Sequence, residues 1–406
     1  MPTNFDEVVN RYDTYSSKWY SAKKMSEQLA GHPIDNWDYH NPDVVLPFMV
    51  ADMDLACCEP IVRAMHKVAD HRIYGYSGAY TEPKYVEALV HWYKKRYNFD
   101  IDPEWVHYSQ GSVSAVNTAI KAFTNVGDGV ILCRPVYGHF TGMVEGDTYR
   151  KVVNCQLINN DGYYTMDWDR FEEVCAVPTN RAFILCSPEN PVGRVWTVEE
   201  LQKMLEICRK NHVLVIADEI HGDIVMKGHQ HHPILSVTDD YSNIIMISGI
   251  NKSFNVAGLQ CANTIIPDPD LRGIFMKEYS AGGGTPFAIA AQIAAYEEGG
   301  EWLDEALEYI EGNMDFVINF AAKNMPKLKV RKPEGTYILW LDFSNYGISA
   351  DEIHDRIYNK AKVLLQDGLV HDPDLGGCFQ RMCMPAARCV VEEAMKRICK
   401  AFADLA

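Results

Sequence analysis

Three short apolar runs, at 182–186, 213–217 and 244–247, each end in a polar word. The first runs into Ser187-Pro188-Glu189-Asn190-Pro191-Val192-Gly193, the second into Asp218-Glu219-Ile220-His221, and the third into Ser248-Gly249-Ile250-Asn251-Lys252. Ligands of open α/β sheets bind beyond the carboxyl ends of strands, so an amide, an acid and an amine could converge there. A lysine packed among apolar strand ends has its pKa lowered by desolvation and becomes a better nucleophile toward an aldehyde. Schiff-base chemistry at Lys252 follows from that placement. Taken singly, each residue also has a plain reading: Lys252 as a surface lysine, Asp218 and Glu219 as solvated loop acids, Asn190 as a turn residue.

The elements that must hold these words are legible around them. A fourth run at 130–133 joins the three, each bounded by Gly, Pro or Asn and followed by a helical stretch, which is the pattern of an α/β sheet. Thr197-Val198-Glu199-Glu200 reads as a capping box that starts a helix reaching about Lys210, so two strands are joined by a helical crossover. Gly111-Ser112-Val113 lies between a strand-like 106–108 and a helical run from Ser114, where free backbone N–H groups could hold a phosphate. After Gly299-Gly300, Leu303, Leu307, Ile310, Met314, Val317 and Ala321 keep a three-four spacing along one long helix, expected to bridge two domains. A strand-like 337–341 and a capped helix from Ser349 give the C-terminal part the look of a smaller α+β unit. The expected division is a large domain at 46–290 and a small domain made of 1–45 together with 291–406.

Composition sets the outer limits. A chain of 406 residues, 47% apolar, can bury a large core. Its formal net charge of -17, with no long stretch of Lys and Arg, disfavours binding to nucleic-acid phosphates. There is no basic segment leading into an apolar run at the N-terminus, and no apolar stretch long enough to cross a bilayer, so a cytoplasmic protein without membrane contact is expected. The twelve cysteines are scattered and form no C-x-x-C pair, which reads as reduced thiols. His229, His231 and His232 fit no common zinc spacing and read as a loop, so no metal is expected.

Several words in combination are specific: V-A-D-M-D at 50–54, Y-G-Y-S at 74–77, C-S-P-E-N-P-V-G-R-V-W-T at 186–197, A-D-E-I-H at 217–221, K-S-F-N-V-A-G-L at 252–259 and P-E-G-T-Y at 333–337. With them the chain resembles, over nearly its whole length, the fold-type I pyridoxal-phosphate enzymes of the class I/II aminotransferase superfamily. Within it the match is to the MalY/PatB branch of cystathionine β-lyases and C-S lyases. The resemblance implies an α/β large domain, with a mainly parallel seven-stranded sheet between helices, plus a smaller α+β domain. It implies pyridoxal 5'-phosphate anchored on Lys252, which also serves as general base, with Asp218 paired to the pyridine nitrogen. Asn190 matches the residue that bonds the ring hydroxyl oxygen, and Tyr137 the aromatic that stacks on the ring. Gly111, Ser112, Val113, His221 and Ser248 complete the implied cofactor contacts. Arg381 matches the arginine that grips the substrate α-carboxylate, a task suited to its bidentate fork, with Asn190, Ala51 and Tyr76 also facing substrate. Tyr76 matches a tyrosine that reaches the neighbouring subunit's cofactor, so a homodimer with shared active sites is implied.

The chain departs from its relatives in places. Asn251 stands before the lysine where aminotransferases usually have Ser, Gln260 stands where many carry an arginine, and Cys383 follows Arg381's neighbour where Asn is common. His221 takes the place of the usual aminotransferase tyrosine, and D-E-x-H is typical of the lyase branch, which favours β-elimination of cysteine S-conjugates to pyruvate, ammonia and a thiol. A class I/II aminotransferase is the alternative, since it begins with removal of the same Cα proton. A regulatory protein that binds a transcription activator is a second alternative, which the sequence gives no surface to support.

Overall fold

The computed structural model describes residues 3–279 and 282–405. Strands form where the apolar runs lie: β1 (Val106–Gln110), β2 (Gly129–Leu132), β3 (Lys151–Asn154), β4 (Asn180–Cys186), β5 (Leu214–Asp218), β6 (Ile244–Gly249) and β7 (Cys261–Ile265). They make one seven-stranded sheet in the order β1-β7-β6-β5-β4-β2-β3, parallel except for β7, which runs antiparallel to both its neighbours. The mainly parallel sheet expected above is therefore present.

Both faces of this sheet are covered, which is why its strands read as continuous apolar runs rather than alternating ones. Alternate residues serve different layers. Ile245 and Ile247 join Leu214, Ile216, Ala182 and Ile184 in a core packed under Ala115, Val116 and Ile120 of the helix Gly111–Phe123. Ile244 and Met246 belong to the other core, with Tyr85 and Leu89 of helix Pro83–Tyr97 and Leu201 and Leu205 of helix Val198–Lys210. That last helix starts with the expected capping box: Thr197 accepts from the backbone N–H of Glu200 while the Glu200 carboxylate accepts from that of Thr197.

A second sheet of four antiparallel strands comprises β8 (Lys329–Val330), β9 (Ile338–Asp342), β10 (Gln366–Asp367) and β11 (Phe379–Cys383), in the order β8-β9-β11-β10. The long helix Gly300–Asn324 packs on helix Arg388–Ala401 beside it. One expectation shifts. The helix expected from Ser114 begins three residues earlier, because Gly111 at φ 79° turns the chain sharply out of β1. Leu46–Pro47 runs parallel to Val363–Leu364 and so ties the start of the expected large domain to the C-terminal part. Among the described residues no helix is long and apolar enough to cross a membrane.

Candidate active site

Three strands end level. Cys186 of β4 pairs with Asp218 of β5, and Asp218 with Ile247 of β6, so the three polar words leave the sheet side by side. A cavity of about 770 Å³ opens there, and it is lined by ten of the residues singled out above: Ala51, Gly111, Ser112, Val113, Tyr137, Asn190, Asp218, His221, Lys252 and Arg381. Burial depresses the pKa of the Lys252 amine, and Arg381 depresses it further, while Cys383, Asp52 and Asp218 pull the other way. Its Nζ donates to the carbonyl of Ala51 at 2.7 Å. The same carbonyl accepts from the hydroxyl of the buried Tyr337 at 3.1 Å.

Asp218 shares the sheet face of Leu214 and Ile216, four and two residues back along β5, and so looks toward the helix Gly111–Phe123. Burial pushes its carboxyl up to about 6, against the Ile220 N–H, the Lys252 charge and the Ser112 hydroxyl, which all favour the ionised form. The N-terminus of that helix has no side-chain cap, and its first three residues line the cavity. Its free N–H groups and dipole suit an anion.

Arg381 is buried on β11; its Nη2 donates to the Met49 carbonyl at 2.7 Å and its Nη1 to Asn190 Oδ1 at 3.3 Å. Its Nε and the Nδ1 of His221 are buried without a protein partner. Burial, reinforced by Lys252 and Arg381, drives the His221 pKa far down, so this ring is neutral. Tyr137 sets its ring edge-to-face with Phe140, 5.4 Å between centroids.

Two expected site residues lie apart from this group. Ser248 does not line the cavity: it follows Ile244 and Met246 on the opposite face of β6, and its hydroxyl is taken by Tyr93 at 2.7 Å. The corrected reading is a sheet-face contact. Tyr76 is fully exposed and likewise absent from the cavity wall. Asn251 lines the cavity, yet its Oδ1 is engaged by the backbone N–H of Cys261, which fastens the segment before Lys252 to β7. His231 sits buried in its loop with its Nε2 3.1 Å from Glu219, whose other oxygen accepts from the Ile234 N–H at 2.7 Å. Among the described residues no cluster of three His, Cys, Asp or Glu is placed to hold a metal.

Sequence reasoning missed several members. Ser114, Asn117, Thr118 and Lys121 line the cavity from one helix face, and their three-four spacing was a signal available beforehand. Met49 enters through its backbone carbonyl, for which side-chain types carry no signal.

The residues present fit pyridoxal phosphate. An uncapped helix start suits a phosphate, an acid whose charge is disfavoured by burial suits a protonated ring nitrogen, and a buried amine suits an aldehyde. Comparison with known proteins agrees. The family model for Aminotransferase class I and II matches residues 44–402. Cystathionine beta-lyase PatB of Bacillus subtilis is 36% identical over 97% of this chain and 98% of its own length. The structure of cystalysin from Treponema denticola, which contains a pyridoxal 5'-phosphate cofactor, covers 100% of both chains at 32% identity with a TM-score of 0.92. That of the pyridoxal-phosphate-bound C-S lyase from Staphylococcus hominis, complexed with L-cycloserine, covers 99% of this chain and 98% of its own at 29% identity and TM-score 0.89.

Proposed function

Because the chain belongs to the class I and II aminotransferase family, matched over residues 44–402, we propose that it is a pyridoxal-phosphate-dependent lyase that cleaves the carbon–sulfur bond of cystathionine or other cysteine S-conjugates. The observation that carries this reading is one cavity joining a buried amine, a buried acid and a buried arginine: Lys252, Asp218 and Arg381. The names of the relatives, cystathionine β-lyase and C-S lyase, supply the reaction class.

Lys252 would anchor the cofactor, Asp218 would face its ring nitrogen, Tyr137 its ring and the start of helix Gly111–Phe123 its phosphate. When bound, pyridoxal phosphate supplies an aldehyde that captures amines and a ring that withdraws electrons from the substrate Cα. Arg381 and Asn190, already paired, receive the α-carboxylate and so fix which Cα bond faces the ring. The Lys252 amine, kept neutral more readily by burial, removes the Cα proton. Loss of thiolate from Cβ and uptake of one water leave pyruvate, ammonia and a thiol. His221, held neutral, adds no positive charge beside Arg381 and Lys252.

Exposed Ile73, Tyr74, Tyr76 and Tyr80 form an apolar stretch that supports a homodimer, with Tyr76 reaching the neighbouring site. The deciding assay supplies cystathionine or an S-substituted cysteine to the cofactor-saturated protein with no keto acid present. Pyruvate and thiol in equal amounts are expected. Turnover only after a keto acid is added would make the protein a transaminase, and neither product under any condition would end the lyase reading.

A further inference from the structure

Lys252 and Arg381 both donate to backbone carbonyls of one short segment, at Ala51 and Met49. A carbonyl is only as well placed as the chain that carries it, and the 49–54 segment is neither helix nor regular sheet. What fixes it is a charge cluster supplied from the N-terminal side. Asp54 accepts from Lys18 at 2.7 Å, from the Trp19 indole at 2.7 Å and from Arg11 at 2.8 Å. Arg11 also bonds the Met53 carbonyl at 3.0 Å and Asp52 at 2.9 Å, and Lys18 bonds the Asp52 carbonyl at 2.9 Å. Two cations face two carboxylates, so the cluster is neutral as a whole. Lys18 is only 1% exposed. A buried ion pair of this kind is weak evidence for stability, since its desolvation cost offsets its attraction, but it fixes geometry closely. On the far side Asn255, three residues past Lys252, accepts from the Met53 N–H at 3.2 Å and donates to the Leu55 carbonyl at 2.8 Å.

We infer that Asp54 and Lys18 are positioning residues of the active site, holding the 49–54 segment so that its inward carbonyls orient Arg381 for the substrate carboxylate and Lys252 for the Cα proton. Neither residue lines the cavity, and both act through Met49 and Ala51. The inference rests on the lyase reading for the roles of Lys252 and Arg381.

The test measures binding of 3-(methylthio)propionate, which carries a carboxylate and a thioether but no amine to react, by calorimetry on the cofactor-loaded protein. It also measures KM for S-methyl-L-cysteine. Asp54→Asn and Lys18→Met are compared with Asp404→Asn, which breaks the Arg356–Asp404 ion pair away from the segment. Both cluster variants are expected to raise the dissociation constant and KM together by about tenfold, as a small misplacement of binding groups does, while Asp404→Asn leaves both unchanged. Circular dichroism reports whether each variant folds. A folded Asp54→Asn protein with unchanged binding and KM overturns the inference, as does an equal change in Asp404→Asn. Should Asp54→Asn fail to fold, Lys18→Met decides, because Asp54 keeps Arg11 and Trp19 as partners. Failure of the wild-type protein to bind the probe also overturns the inference, whereas wild-type binding without thiol release faults the lyase reading alone.

Discussion

Asp218 is buried in a setting that works against its own charge. Its carboxyl is pushed from the ordinary range up to about 6 by burial, a difference of roughly 3 kcal/mol between its two protonation states. In the cofactor-free chain the folded state therefore holds this proton more tightly than the unfolded state does. Stability contributed by the protonated carboxyl is present at low pH and is lost as pH rises toward and through about 6. Thermal unfolding of the cofactor-free protein is expected to show a midpoint that falls between pH 5 and pH 7, and Asp218→Asn should remove most of that fall; a parallel fall in the variant would assign it to other groups. In the loaded enzyme the same substitution should lower kcat by about a hundredfold or more, because the amide no longer holds positive charge on the ring nitrogen. Steady-state kinetics at saturating cofactor measures it.

Strand and helix geometry explains both what the residues disclosed in advance and what they concealed. The apolar runs announced four strands of the sheet, and the polar words after three of them announced Asn190, Asp218 and Lys252, because a ligand at the end of a parallel sheet must meet whatever follows each strand. Ser248 was misplaced for a reason its own strand supplied: the side chains of β6 alternate, and a residue in step with Ile244 and Met246 faces helix Pro83–Tyr97. The segment 50–54 was marked by its family word, but the part played by Met49 could not be read from residue types, since it works through a carbonyl. The corner at Gly111 was legible as a Gly-Ser word but not as the first turn of the helix. An alanine at φ 79° costs about 1–2 kcal/mol, so Gly111→Ala should lower stability and turn the helix start away from the cavity. Absorbance titration should show weaker binding of pyridoxal phosphate by about tenfold, in line with loss of backbone donors to an anion. Gly347→Ala, at φ 66° in a turn outside the cavity, should cost similar stability and leave that affinity unchanged.

At the scale of the whole molecule, the proposed homodimer would share its active sites. The cavity is lined by the polar words that follow the strands of one chain, while Ile73, Tyr74, Tyr76 and Tyr80 of the same chain are exposed. Exposed rings in one stretch are costly to leave in water, and a two-fold dimer would cover two copies of the stretch at once. If each Tyr76 completes the partner's site, then a subunit lacking Lys252 and a subunit lacking Tyr76 fail for different sites. Lys252→Ala and Tyr76→Ala proteins are each expected to be nearly inactive. When they are mixed equally, mildly denatured and allowed to reassemble, half the dimers should be hybrids with one intact site, which restores about a quarter of the wild-type sites. Recovery of pyruvate release near that level, with dimers confirmed by light scattering, supports a shared site. Recovery no greater than the sum of the two parents would place Tyr76 in its own subunit's site, or outside the reaction altogether.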